Sequence, residues 1–238
     1  MKKTFIALII LIIGITKADA QQEKFAVFGV NIYTQLGDYD EFNADMDTIE
    51  ANSNVGAPGK IHSNFGYGLS FISKVGYAEL GAHVFLGNSK ENYIQVRDTV
   101  SGQEIFSQLY VRHHMVGLSG RIGFSSGKTV SIGADVGGIL SNFQHEKVRS
   151  DKVPNWLFKS EDVRSYVGTI TPYSSIHGAL SEQMMFFLEP YASFVFGKMN
   201  YAGAFAKEIY YPNASIKGSF TPRFFGIRII LAFGKTAD

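Results

Sequence analysis

The chain contains no cysteine. That excludes disulfides, thiolate metal sites and anchoring through a lipid-modified cysteine. It also lacks an excess of either charge, with 22 basic against 21 acidic residues. Nothing in that balance favours nucleic acid. Long apolar runs are absent beyond the first fifteen residues, which argues against a helical membrane protein.

What is present begins with a targeting segment. Lys2 and Lys3 form a positive start, Phe5 to Ile15 form an apolar run, and Ala18-Asp19-Ala20 fits a small-x-small cleavage site. The run falls short of the ~20 residues that a spanning helix needs. Residues 1–20 therefore read as a signal peptide, and Gln21 as the start of the mature chain. Cleavage removes Lys2, Lys3, Lys17 and Asp19 and leaves the mature chain about neutral. Residues 21–238 suit a single domain. Their mean hydropathy of +0.03 for the whole chain, beside 25 glycines and 20 phenylalanines, fits an apolar face diluted by polar residues on alternate positions.

That alternation recurs along the chain. Eight strands are predicted, at about 24–36, 61–74, 76–86, up to 124, 129–140, 165–180, 183–196 and 219–233. In the first, Ala26, Phe28, Val30 and Ile32 oppose Gly29, Asn31, Tyr33 and Gln35. In the last, Phe225, Ile227, Ile229, Leu231 and Phe233 oppose Gly226, Arg228 and Ala232. The strand at 165–180 has two similar faces. Tight connections at 73–76, 125–128 and 181–183 alternate with long ones at 37–60, 87–104, 141–164 and 197–218. Short turns alternating with long loops are the pattern of outer-membrane barrels. The expectation is an all-β fold, an eight-stranded antiparallel up-and-down transmembrane β-barrel. It would sit in the outer membrane of a Gram-negative bacterium with both termini periplasmic. A soluble sandwich or lipocalin-like barrel would need its Gly-, Ser- and Asn-rich face as an exterior.

The TPY of Thr171 to Tyr173, the FFLEPY of Phe186 to Tyr191 and the closing GIRIILAF of Gly226 to Phe233 resemble the small outer-membrane barrels of Bacteroidota, of the PorT-like and OmpA-like kinds. The resemblance covers nearly the whole mature chain and implies fold and location rather than an activity. Unlike typical OmpA proteins, the sequence has only Gly234 to Asp238 after Phe233, so a wall-tethering role is not expected.

An eight-stranded barrel has an interior filled by side chains. Glu79, Arg121, Asp135, Glu189 and Arg228 share the inward parity at spanning height, where charges must be paired. They are predicted to form one network beside Tyr77, Tyr191 and Asn31, acting as a plug; an ion path or gate is the functional alternative. The inward glycines Gly66, Gly68, Gly81, Gly117, Gly133 and Gly137 would let large neighbours lie flat across the strands.

The connection at 37–60 carries Asp38, Asp40, Glu41, Asp45, Asp47 and Glu50 and reads as a solvated acidic loop, or one bridged to lipopolysaccharide by loose divalent ions, without the glycine and final glutamate of an EF-hand. Tyr93 to Val100 and Gln103 to Val111 both alternate around Ser101-Gly102, which predicts a protruding hairpin whose edge could capture another chain. Tyr93, Trp156, Phe158, Tyr201, Tyr210 and Tyr211 are candidate partner contacts, or else pack loop on loop. His113, His114 and Ser107 are the nearest approach to a lipid-modifying site. Adjacent histidines point to opposite faces of a strand, and no matched acid accompanies them. No metal or cofactor is expected. The leading function is therefore non-enzymatic: a surface interaction protein or an accessory subunit of an outer-membrane complex, in contact with outer-membrane lipid and lipopolysaccharide. A narrow channel for small solutes is the alternative, and a lipid-modifying enzyme the third.

Overall fold

The computed structural model describes residues 24–52, 60–89, 93–100, 103–126, 129–149, 156–159, 162–205 and 216–237. The segment 1–20 and residues 210 and 211 lie outside them. Eight strands close into an antiparallel barrel: β1 (Lys24–Gly37), β2 (Ser63–Val75), β3 (Ala78–Ser89), β5 (Gln103–Ser126), β6 (Val130–Arg149), β8 (Val163–Ser181), β9 (Met184–Phe196) and β12 (Arg223–Ala237). Each pairs with the next, and β12 returns to β1, with Phe28 opposite Phe233.

The period-2 sequence sets which way each side chain faces. Along β1 burial alternates residue by residue. Phe28, Val30 and Ile32 are about half exposed, as are Phe65, Tyr67, Leu69 and Phe71 on β2 and Phe225, Ile227 and Phe233 on β12. The outward face is thus a continuous apolar girdle, while the inward face carries polar groups. Soluble monomers rarely expose contiguous apolar area on this scale.

Three expected boundaries are corrected. The connection at 141–164 is largely strand: β6 runs on to Arg149 and pairs with β7 (Trp156–Lys159). The last barrel strand starts at Arg223; Ser219–Phe220 (β11) pairs instead with Met199–Asn200 (β10), beside the short helix α2 (Ala202–Phe205). The acidic connection is not a plain solvated loop. It folds into α1, Asp40–Asn52, because Asp38 Oδ1 accepts the backbone N–H of Asp40 at 3.3 Å, and Asp40 and Glu41 favour the positive helix start.

The predicted hairpin is present in the backbone. β4 (Tyr93–Val100) pairs with the outer half of β5, Tyr93 opposite Tyr110. β5 spans 24 residues, more than double the ~9–11 that cross a bilayer. Beyond His114, β5 leaves β3 and continues between β4 and β6. A four-stranded sheet, β4-β5-β6-β7, thus stands out from the loop end of the barrel.

Candidate functional site

The lumen is filled in three tiers. The middle tier brings the five predicted charges together. Arg121 Nε donates to Glu79 Oε1 at 2.5 Å, and its two terminal nitrogens grip Glu189 at 3.1 and 2.6 Å. Arg228 Nε donates to Glu189 Oε2 at 2.7 Å and its Nη2 to Asp135 Oδ2 at 2.6 Å. Glu189 therefore bridges both guanidinium groups. Such a planar fork meeting a carboxylate is the strong form of hydrogen bond. All five side chains are buried.

Sequence reasoning missed three residues here. Lys74 is inward and buried, opposite Glu79 in the β2–β3 register, with its ammonium 5.8 Å from the Phe25 ring. His83 accepts from Arg121 through Nε2 at 3.2 Å and donates from Nδ1 to Ser70 Oγ at 2.7 Å. The Tyr173 ring lies 3.7 Å beneath the Arg121 guanidinium, and its hydroxyl donates to Glu79 Oε1 at 3.0 Å. It takes the place expected for Tyr77, which sits exposed in the β2–β3 turn. Of the other expected neighbours, Asn31 donates to Ser70 Oγ at 2.8 Å and Tyr191 donates to the Thr34 carbonyl at 3.3 Å. Tyr173 reaches Glu79 by crossing Gly123 and Gly133, where a Cβ would stand 2.3 and 2.5 Å from its hydroxyl. A chamber adjoins the network, lined by Asn31, Tyr33, Gln35, Asp135, Tyr191 and Arg228 among others. Asn31 Oδ1, Gln35 Oε1 and Asp135 Oδ1 make no protein hydrogen bond there, a lining suited to water.

The tier toward the tight turns is apolar. Phe25, Val27, Ile72, Met185, Phe187, Ile230 and Ala232 form one buried cluster. His177 packs against it, 5.3 Å from Phe187 and 6.0 Å from Phe25.

The tier at the loop end is aromatic. Tyr39, just before α1, and Phe42 and Met46 on one face of it project at helical spacing into the mouth. There they meet Phe143, Tyr201, Phe220 and Phe224. Phe42 lies 4.9 Å from Tyr201, and the His113 ring stacks on Phe143 at 4.0 Å. The helix is tied down by polar contacts. Asp45 Oδ2 accepts from the Tyr201 hydroxyl at 2.5 Å and from Gly218 N–H at 3.0 Å. Asn43 exchanges two 3.0 Å bonds with the Ile61 backbone. Burial first, then Asp45 beside it, push the Tyr201 hydroxyl pKa up, so it stays a donor.

Tyr201 is consequently not a partner contact: it is fully buried, packing loop on loop. The side chains of Tyr93, Trp156, Phe158 and Ser107 lie outside the described residues, as do Tyr210 and Tyr211 altogether. His113 points inward, bound to Tyr39 Oη at 3.2 Å and Ser141 Oγ at 2.9 Å. His114 takes the opposite face and bonds to Asn88. Among the described residues no group of His, Asp or Glu is arranged to hold a metal ion.

No family model matches the chain, and no curated protein matches it. Among solved structures it is similar to Neisserial surface protein A, at 8% identity and a TM-score of 0.43, over 87% of this chain and 96% of that one. It is also similar to Ail, the attachment invasion locus protein of Yersinia pestis, at 7% identity and a TM-score of 0.41. A second Ail structure, in complex with the heparin analogue sucrose octasulfate, gives 8% identity and a TM-score of 0.38. Each Ail match covers 90% of this chain and 97% of the other. At such identities the likeness concerns the barrel and carries no inference about ligands.

Proposed function

We propose that this chain is a closed, non-enzymatic outer-membrane barrel that holds an external sheet and loops for contact with a protein partner. Residues 1–20 act as the cleaved signal peptide. Both termini lie on the periplasmic side and the β4-β5-β6-β7 sheet faces outward. The apolar girdle supports the membrane location, because a barrel of this size in water would bury such residues inward. The observation that carries the closed, non-transporting reading is the filling of the lumen at three levels.

The projecting sheet supports the interaction role. It extends well past the spanning height, and β4 pairs with β5 alone among the described residues. A free strand edge pairs readily with another chain. Tyr93, Trp156, Phe158, Tyr210 and Tyr211 are the proposed contact residues.

The test is gentle-detergent purification of a tagged copy from its own outer membrane, with every co-purifying protein quantified. A stoichiometric partner lost on deletion of residues 93–110 supports an accessory subunit. A lone barrel in every detergent overturns that reading. The second reading, a narrow channel, is favoured by the chamber beside Arg228 with its unfilled acceptor oxygens. Steady conductance steps in planar bilayers would establish it.

A further inference from the structure

The charge distribution outside the lumen has its own order. On β8, β9 and β12, three adjacent strands, the outermost girdle residue is aromatic: Tyr166, Phe196 and Phe225, each more than half exposed. Two residues further toward the loops the residue is basic on all three: Arg164, Lys198 and Arg223, each exposed, with Lys198 just past the end of β9. The same step on β1, β2, β3 and β6 gives Asp38, Ser63, Asn88 and Asn142, and on β5 it gives His114. At this step lysine and arginine are thus confined to one arc of the rim. Two carboxylates adjoin the arc among the described residues: Asp162, which accepts from Arg164 Nη2 at 3.4 Å and also from Gln144, and Asp38, whose backbone N–H donates to the Arg223 carbonyl at 2.9 Å. The arc keeps a net positive charge.

An aromatic followed by a base marks where hydrocarbon gives way to headgroups. Aromatic rings settle at that interface, and basic side chains reach past it. We propose that Arg164, Lys198 and Arg223 form a lateral site for the phosphate groups of a phosphorylated glycolipid of the outer leaflet. This rests on the membrane reading above. Charge complementarity selects phosphate, and the height selects the lipid: the bases stand one residue pair beyond the girdle, on its outer surface, where a lipid headgroup reaches them from the side. Neither the lumen network nor the projecting sheet takes part.

The mature chain is reconstituted into phosphatidylcholine nanodiscs carrying lipid A, either with both phosphates or with the phosphates removed. Bound lipid A is counted by native mass spectrometry. A Leu118→Trp probe in mid-girdle, with brominated acyl chains as quencher, reports insertion separately. The expected result is retention of phosphorylated lipid A and little of the stripped form. Arg164→Gln, Lys198→Gln and Arg223→Gln each weaken retention roughly fivefold, and the triple variant about a hundredfold. Quenching with equal retention of both lipid forms by the wild type overturns the rim site while leaving the membrane reading intact. Absence of quenching overturns both. Preference of the rim for soluble sucrose octasulfate over lipid A also overturns the assignment to a lipid.

Discussion

At the scale of single residues, Arg121 is the side chain on which the middle tier depends. It holds Glu79 and Glu189 at once and lies over Tyr173. Its removal leaves the buried Glu79 without its guanidinium partner and Glu189 with Arg228 alone. Arg121→Ala is expected to destabilise the barrel by about 3–5 kcal/mol, read as a lower urea midpoint in refolding from micelles; an unchanged midpoint would show that the network contributes nothing net. Tyr173→Phe removes one hydrogen bond to a charged group and leaves the ring in place, so the expected loss is smaller, about 1.5–3 kcal/mol. Gly117→Ala probes packing instead. A Cβ there would stand 1.9 Å from the Phe85 ring, and overpacking of that kind costs about 1–3 kcal/mol. The five charges were legible because parity alone decides which residues face inward. Tyr173 was not, because Thr171, Tyr173 and Ser175 inside read much like Pro172 and Ser174 outside. Lys74 was lost because it stands beside a tight turn, where a lysine ordinarily faces solvent.

At the scale of elements, α1 shows how composition can hide a pattern. Six acids between Asp38 and Glu50 suggest a solvated loop. The same stretch sets Tyr39, Phe42 and Met46 three and four residues apart behind a capping Asp38, which is an amphipathic helix start. Asp40, Glu41 and Asp47 lie exposed, Asp45 turns inward to Tyr201, and the apolar residues close the mouth. The turn-end tier was hidden for a related reason. Where both faces are apolar, as in Met184 to Leu188 and Ile229 to Leu231, alternation vanishes and only the outward half was assigned. The helix is held by packing and a few polar ties rather than by a strand ladder, so it is the element that opens first. Phe42→Ala leaves a void among Phe143, Tyr201 and Phe220. Amide exchange in 40–48 should then quicken by two orders of magnitude or more, given about 3–5 kcal/mol for an aromatic truncated in a core, while the amides of β1 and β12 keep their protection. Equal acceleration in the strands would mean that helix and barrel open as one unit.

For the whole molecule, the three tiers act as barriers in series. Permeation through such a path is limited by its highest barrier, so removing one of several does little. The two end tiers exclude water by apolar contact, and an apolar constriction blocks ions by dewetting even where its geometric width would admit them. Between them the charged tier and its chamber are polar and can hold water, with an apolar cluster on either side. It follows that the salt-bridge network alone does not keep the barrel shut. Deleting residues 40–52 should strip the outer seal and leave planar-bilayer conductance at background, because Phe25, Ile72 and Phe187 still close the turn end. Adding Phe25→Ser and Phe187→Ser to that deletion should produce discrete conductance steps, provided the strands stay folded, as judged by their mobility shift on heating. Steps from the helix deletion alone would show that the turn-end cluster is no seal. The chain would then be a channel closed only by its external plug, and the accessory-subunit reading would have to give way to a gated pore.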